Sequence, residues 1–225
     1  MSKNGLIQIA GIRDAEEARL LVEGGVDWLG FPFRLDFHRE DLSETQARDI
    51  ISVLPNTVLP VLITYLNDAD SILDLCGCLG TRAVQLHGKV VPELGEALRR
   101  RSPRLALIKS LVVRENAWER LEKELQDWAS WADYFLTDTF DAESGASGAT
   151  GKTHDWEISR RLVEISPKPL MLAGGLNPDN VGEAIRKVRP AGVDSHTGVE
   201  DSQGAKDPEL LRAFVAEARL AFAQL

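Results

Sequence analysis

Short apolar runs alternate with stretches of helical periodicity along the whole chain. The apolar runs are rich in Val, Ile and Leu and cover residues 6–9, 26–31, 58–64, 83–87, 104–110, 133–138, 169–175 and 192–196. After each run, apolar residues recur every three to four positions, as they do on one face of an α-helix. The pattern predicts eight strands and eight helices in strict alternation.

The residues at the ends of these stretches support the prediction. Paired glycines at 24 and 25 end the first helical stretch. Ser43 and Gln46 have the spacing of a capping box at the start of the second. Asn177 followed by Pro178 predicts that the seventh helix starts there, with a capping side chain and proline at the first helical position.

The alternation predicts the fold class. Strands that alternate with helices form a parallel sheet, and nearly continuous apolar strands are typical of a sheet covered by helices. Eight such units close naturally into a (β/α)8 barrel of the TIM type. We therefore predict an α/β protein with a single barrel domain over residues 1–225. An open, doubly wound sheet is the structural alternative.

Composition and charge narrow the class of partner. The chain has 225 residues, is 44% hydrophobic and carries a formal net charge of -9. Its longest cationic run is Arg99 to Arg101, which is followed by Arg104 near the end of a predicted helix, where cations complement the helix dipole. We therefore expect no nucleic-acid partner.

The chain also lacks the sequence signals of a membrane or secreted protein. The N-terminal segment is too short and too polar for a signal peptide. No stretch approaches the 18 apolar residues of a membrane span. We expect a cytoplasmic protein that has no membrane partner.

Candidate chemistry collects in the loops that follow the predicted strands, where barrels of this type bind ligands. All four histidines lie there, namely His38, His87, His154 and His196. The longest of these loops cover residues 32–42 and 139–155.

A glycine-rich run, GASGATGKT at 145–153, resembles a nucleotide-binding P-loop. A P-loop requires a glycine separated by four residues from its Gly-Lys pair, and Ala146 occupies that position here. The run also lies well beyond the sixth predicted strand and not in a tight strand-to-helix turn. We interpret it as a flap over the site, or simply as a flexible loop.

A phosphate site is predicted further along the chain. Gly174 and Gly175 end the seventh apolar run, and Thr197 and Gly198 follow the eighth. The loops after the last two strands of such a barrel commonly bind phosphate, because glycine allows close approach of backbone N–H groups. Alternatively, Gly174 and Gly175 form only a tight turn.

Five segments together resemble the phosphoribosylanthranilate isomerase family, in that family's order. They are GVDWLGFPF, VQLHG, GATGKTHDW, LAGGLNPDNV and GVDSHTGVE. The resemblance implies an aldose–ketose isomerase of tryptophan biosynthesis that performs an Amadori rearrangement without a cofactor. The implied partner is a small phosphorylated sugar, and the implied assembly is a monomer or a homodimer.

The resemblance also implies roles for individual residues. Asp138 matches the general acid of the family, although an aspartate there could also cap a loop. Arg39 matches the arginine that grips the anthranilate carboxylate, or it is a surface arginine. His87 and Asp194 match residues that line the site, and Lys152 matches the flap.

The first strand departs from the family pattern. The family has Lys-Ile-Cys-Gly there, with the cysteine as general base, whereas residues 8–11 are Gln-Ile-Ala-Gly. Ala10 cannot accept a proton, and Gln8 replaces the lysine. The serine pair of the family after the last strand is replaced by His196 and Thr197.

These departures leave three hypotheses. The chain keeps the family reaction with another base, for which His38 and His196 are candidates because histidine titrates near neutral pH. Alternatively, it is an enzyme that acts on a different phosphorylated sugar, or a non-catalytic phosphosugar-binding protein. Cys76 and Cys78 lie in a helix outside the predicted barrel and cannot supply the base. No ligand spacing indicates a metal site.

Overall fold

Strands and helices alternate through the part of the chain that the structure describes. The computed structural model describes residues 5–35, 40–114, 117–139 and 153–225. The strands within these ranges are β1 (Leu6–Ala10), β2 (Trp28–Phe33), β3 (Leu59–Thr64), β4 (Ala83–Leu86), β5 (Ala106–Val113), β6 (Tyr134–Thr139), β7 (Leu170–Leu172) and β8 (Gly192–Ser195). The α-helices are α1 (Ala15–Glu23), α2 (Glu44–Ser52), α3 (Ala69–Leu79), α4 (Pro92–Arg101), α5 (Trp118–Trp128), α6 (Trp156–Ile165), α7 (Val181–Val188) and α8 (Pro208–Phe222).

Parallel pairing closes the sheet into a ring. Each strand pairs with the next in chain order, and β8 returns to pair with β1. In that last pairing, Leu6 lies opposite Gly192 and Gln8 lies opposite Asp194. The predicted (β/α)8 barrel is therefore confirmed, and the open doubly wound sheet is wrong because its first and last strands would not pair.

Side chains that alternate along each strand build two apolar layers. On β1, Ile7 and Ile9 point outward and join the large core between strands and helices. The cluster inside the barrel consists of Ala10, Trp28, Val61, Ile63, Ala83, Ile108, Leu136, Met171 and Ala173. The interior of the barrel is thus largely filled by apolar side chains.

Local signals in the sequence explain where several helices begin and end. The predicted capping box is formed, since Ser43 Oγ accepts from the backbone N–H of Gln46 and Gln46 Oε1 accepts from that of Ser43. The three arginines of Arg99–Arg101 lie in the last turn of α4, as expected. The capping box provides partners for backbone N–H groups that the start of a helix leaves unpaired. The arginines place positive charge at the negative end of the dipole of α4.

Two boundaries near the seventh unit differ from the prediction. The apolar run at 169–175 gives a strand only at Leu170–Leu172, because Gly174 and Gly175 have φ of 98° and 63° and turn the chain. The helix predicted to start at Asn177 and Pro178 begins at Val181. Asn177 Oδ1 accepts from the backbone N–H of Asp179 and Asn180, so these residues form a turn that precedes the helix.

Two smaller expectations concern the cysteines and the membrane. Cys76 is buried and Cys78 is exposed, so the two thiols face different sides of α3 as predicted. Among the described helices, none is both long enough and apolar enough to cross a bilayer.

We predict that Gly192→Ala destabilises the barrel by about 1 to 3 kcal/mol, the usual cost of overpacking. A Cβ at Gly192 would lie 2.7 Å from the carbonyl oxygen of Leu6, and backbone cannot move aside. Gly77→Ala in α3 is the matched control, because a Cβ there meets nothing within 4 Å. It should stabilise by about 0.5 to 1 kcal/mol through helix propensity. Urea unfolding of both variants measures the difference, and equal effects would contradict this account of β1–β8 packing.

Candidate active site

A cavity of about 430 Å³ opens at the carboxyl ends of the strands. Its wall includes Ala10 from the end of β1, Pro32 from β2, Ile63 from β3, Asp138 from β6 and Asp194 from β8. Because the strands are parallel, their carboxyl ends meet at one rim. The cavity therefore lies where the sequence predicted a ligand site.

Asp138 and His87 form a buried pair on the cavity wall. His87 Nε2 lies 3.5 Å from Asp138 Oδ2, and His87 Nδ1 lies 3.0 Å from Ser110 Oγ. Burial raises the pKa of Asp138 to about 7, although the backbone N–H of Thr139, which donates to Asp138 Oδ1 at 2.7 Å, acts in the opposite direction. A carboxyl group with this pKa is partly protonated near neutrality and can both donate and accept a proton.

Asp194 is a second buried carboxyl group in the same cavity. Burial raises its pKa to about 7, and the negative charge of Asp138 adds to the effect. A hydrogen bond from the Gln8 side chain and the charge of Lys206 oppose the shift. Since Gln8 is an uncharged amide that also donates to Gln85 Oε1 at 2.9 Å, it solvates Asp194 without neutralising it. The replacement noted at position 8 thus favours a protonated Asp194.

His196 lies beside the position where the family has its cysteine. The ring packs on Gly11, where a Cβ would approach His196 Nε2 to 2.0 Å, and both His196 and Ala10 line the cavity. Nε2 also lies 3.3 Å from Glu200 Oε1. Closure of β8 onto β1 therefore places an imidazole against Gly11, the residue that follows Ala10.

The loops after β7 and β8 contact each other. Ser195 Oγ donates to the carbonyl oxygen of Leu176 at 2.7 Å. The backbone of Gly198 packs so closely on the same oxygen that a Cβ would lie 1.8 Å from it. Gly175 is bound from within its own loop, because Asn180 Nδ2 donates to its carbonyl oxygen at 2.9 Å.

The structure thus brings together the two loops that the sequence predicted as a phosphate site. A short 3-10 turn at Thr197–Val199 follows β8. Of the predicted phosphate-binding residues, Thr197 is on the cavity wall. Gly174 is packed against Thr139 and His154, where a Cβ would meet Thr139 Oγ1 at 2.0 Å. Phosphate binding by these residues stays a prediction.

Three predicted site residues, His38, Arg39 and Lys152, lie outside the described residues, as does most of the predicted flap at 145–153. Of the described residues near them in the sequence, Leu35 and Asp41 line the cavity. The roles proposed for these three residues remain predictions.

His154, the fourth histidine of the rim, occupies a different environment. Its Nδ1 lies 2.9 Å from Thr139 Oγ1 and its Nε2 lies 2.5 Å from Ser159 Oγ. Burial lowers the pKa of His154 to about 4, so the ring is neutral at physiological pH. Both ring nitrogens are engaged with hydroxyl groups of β6 and α6, which makes His154 a packing residue of that region.

Sequence reasoning missed several residues of the cavity, among them Arg13, Gln85 and Glu200. Glu200 ends the segment GVDSHTGVE and lies four positions after His196, a spacing that could have suggested the contact. Arg13 and Gln85 have no comparable signal, because they reach the site only through the closure of the ring. Among the described residues, no group of three or more His, Cys, Asp or Glu side chains is arranged to hold a metal ion.

The sequence is similar to those of known isomerases over nearly its whole length. A family model described as N-(5'-phosphoribosyl)anthranilate (PRA) isomerase matches residues 7–217. N-(5'-phosphoribosyl)anthranilate isomerase 2 of Methanosarcina mazei is 36% identical over 214 residues, which cover 95% of this chain and 93% of the relative.

Solved structures are similar over the same length. Phosphoribosyl anthranilate isomerase from Thermotoga maritima superposes with a TM-score of 0.81 at 34% identity, covering 95% of this chain and 98% of that one. A phosphoribosyl anthranilate isomerase in complex with reduced 1-(o-carboxyphenylamino)-1-deoxyribulose 5-phosphate gives 0.79 at 31% identity, with the same coverage.

We predict that the free energy of unfolding of Asp194→Asn increases relative to that of the unchanged protein as the pH rises from 5 to 8. Between the unfolded pKa of about 3.9 and the folded pKa of about 7, folded Asp194 keeps a proton that the unfolded chain has released. Stability therefore falls as pH rises through this window, and the amide removes that loss. The gain should be about 2 kcal/mol, because one pKa unit corresponds to about 1.4 kcal/mol.

Chemical denaturation at pH 5 and pH 8 measures this gain. Asp74→Asn, at an exposed position of α3, is the control for loss of one carboxylate and should show no comparable change with pH. An Asp194→Asn variant whose relative stability is the same at both pH values would contradict the assignment.

Proposed function

Since the chain belongs to the N-(5'-phosphoribosyl)anthranilate isomerase family, we propose that it isomerises N-(5'-phosphoribosyl)anthranilate with His196 as the base in place of the cysteine. The observation that carries the proposal is the position of His196, which packs on Gly11 beside Ala10 in the cavity that also contains Asp138. The protein is thus an isomerase of the aldose–ketose class whose base comes from the loop after β8 instead of from β1.

Asp138 is the acid of the first step. Its proton goes to the ring oxygen of the sugar as the bond from that oxygen to carbon 1 breaks, and the nitrogen lone pair forms a C=N bond. Burial, which raises the pKa of Asp138 to about 7, keeps this proton in place near neutrality. His87, whose Nε2 lies 3.5 Å from Asp138 Oδ2, holds the carboxyl group in position.

His196 is the base of the second step. It removes the proton on carbon 2, and the electrons of that bond form a carbon–carbon double bond while the iminium nitrogen is neutralised. Tautomerisation of the resulting enol then gives the aminoketose. An imidazole suits this role because its ordinary titration range includes physiological pH.

The remaining contacts are assigned to the loops at the rim. The loops after β7 and β8, joined through Leu176 and Ser195, are proposed to bind the phosphate with backbone N–H groups. The position of Thr197 on the cavity wall supports phosphate binding by these loops. Asp194 lines the cavity, where a protonated carboxyl group can donate a hydrogen bond to a sugar oxygen.

A second candidate is an isomerase of a different phosphorylated sugar. It is favoured by one observation: the wall formed by described residues contains four carboxyl groups, Asp41, Asp138, Asp194 and Glu200, and only one arginine, Arg13. This candidate predicts stabilisation by ribose phosphates in a thermal-shift assay without turnover of phosphoribosylanthranilate.

We predict that the purified protein converts phosphoribosylanthranilate and rescues a tryptophan auxotroph that lacks the isomerase. Asp138→Asn should lower kcat/KM by about 10² to 10⁴, the usual contribution of a general acid or base. The rate at which the substrate disappears gives the activity. Well-expressed protein that neither turns over the substrate nor rescues growth would refute the proposal.

A second prediction identifies the base. His196→Ala should lower kcat by about 10² to 10⁴ with a smaller effect on KM, because the ring acts on the proton at carbon 2. Adding Ala10→Cys to the His196→Ala variant should restore part of the rate, since it returns the cysteine of the family to its position at the end of β1. A His196→Ala variant with unchanged kcat would show that another group takes the proton.

A further inference from the structure

Lys206 is a buried cation next to the cavity. Its side chain has 0% exposure, and its Nζ donates to Glu200 Oε1 at 2.6 Å and to the carbonyl oxygen of His196 at 3.2 Å. Burial lowers the pKa of Lys206, and the Glu200 carboxylate acts in the opposite direction. A buried ammonium group is stable only when it is paired, so Lys206 requires Glu200 as a carboxylate.

The same oxygen of Glu200 faces the imidazole. Glu200 Oε1 lies 3.3 Å from His196 Nε2, and the side chains of Glu200 and His196 are 13% and 28% exposed. Glu200 Oε1 is therefore shared between the Lys206 ammonium group and the imidazole of His196. A proton taken up by His196 would be neutralised by Glu200.

The loop that contains these residues is held in place by backbone contacts. Glu200 and Lys206 form an isolated antiparallel bridge, and the N–H of Lys206 donates to Glu17 Oε1 at 3.0 Å. Glu17 Oε2 in turn accepts from the N–H of Arg13 at 2.9 Å. The position of the Glu200 carboxylate is thus set by both the β8 loop and the β1 loop, the two elements between which His196 lies.

We propose that Glu200, anchored by Lys206, is a positioning residue that keeps a proton on Nε2 of the neutral His196 ring. The partner of one ring nitrogen decides the tautomer of a neutral imidazole. The use of this tautomer in catalysis rests on the proposed function, whereas the tautomer itself is inferred from the 3.3 Å contact between Nε2 and Glu200 Oε1.

A second buried lysine–glutamate pair in the barrel provides a matched control. Lys109 Nζ, with 2% of its side chain exposed, lies 2.8 Å from Glu124 Oε1. This pair lies between β5 and α5, and Lys109 also contacts Trp128. Glu124→Gln therefore makes the same chemical change beside a buried lysine but outside the cavity.

The tautomer can be read directly by NMR of protein labelled with 15N-histidine. The chain has four histidines, and His196→Asn identifies the signals of that ring. In the unchanged protein, the neutral ring of His196 should carry its proton on Nε2. A neutral ring with the proton on Nδ1 would overturn the proposal even if no variant folds.

Glu200→Gln tests the role of the carboxylate. We expect the ring signals of His196 to shift toward a mixture of tautomers, and kcat to fall about 10- to 100-fold with little change in KM, a part of what a general base supplies. Glu124→Gln should change neither. Unchanged ring signals in Glu200→Gln would refute the proposal.

The two proposals can fail separately. If the unchanged protein does not turn over phosphoribosylanthranilate but its His196 tautomer depends on Glu200, the proposed function fails and the positioning role stands. If turnover is normal and depends on His196 but Glu200→Gln retains full kcat, the positioning role fails and the proposed function stands.

Discussion

The pairing of β8 with β1 is the constraint on which the site depends. It sets Gln8 opposite Asp194, and just beyond the ends of the two strands it brings the ring of His196 onto Gly11. Glycine at position 11 is required for this contact, because a side chain there would occupy the space of the imidazole. A barrel closed in another register would separate the imidazole from Gly11 and so from the β1 end of the cavity.

The electrostatics of the cavity follow from which charges are paired within it. Asp138 and Asp194 are fully enclosed by the protein, and burial is the main cause that raises the pKa of each to about 7. Glu200, by contrast, is paired with the buried Lys206 at 2.6 Å. The two kinds of acidic group suit different tasks: a carboxyl group that can donate a proton, and a fixed negative charge that supports a proton on a nearby ring.

The departures from the family pattern form one connected set. Loss of the lysine at position 8 leaves Asp194 with an amide neighbour, and loss of the cysteine at position 10 leaves room beside Gly11. His196 lies against that room, four residues before a glutamate that is already bound by a buried lysine. The proposed replacement of the cysteine by His196 therefore requires one new side chain in the loop after β8, because Glu200 and Lys206 are already paired in that loop.

How much the sequence determined depends on the range of each interaction. The eight-fold alternation, the capping box at Ser43 and the opposite faces of Cys76 and Cys78 follow from spacing within a few residues, and all were confirmed. The start of α7 and the end of β7 were placed wrongly, because side-chain hydrogen bonds from Asn177 and the turn at Gly174 and Gly175 compete with helix and strand locally. The contacts of His196 with Gly11 and of Lys206 with Glu17 join residues 185 or more positions apart along the chain. Only the closed ring decides such contacts, because they exist only once the first and last strands meet. The same holds for the desolvation that raises the pKa values of Asp138 and Asp194.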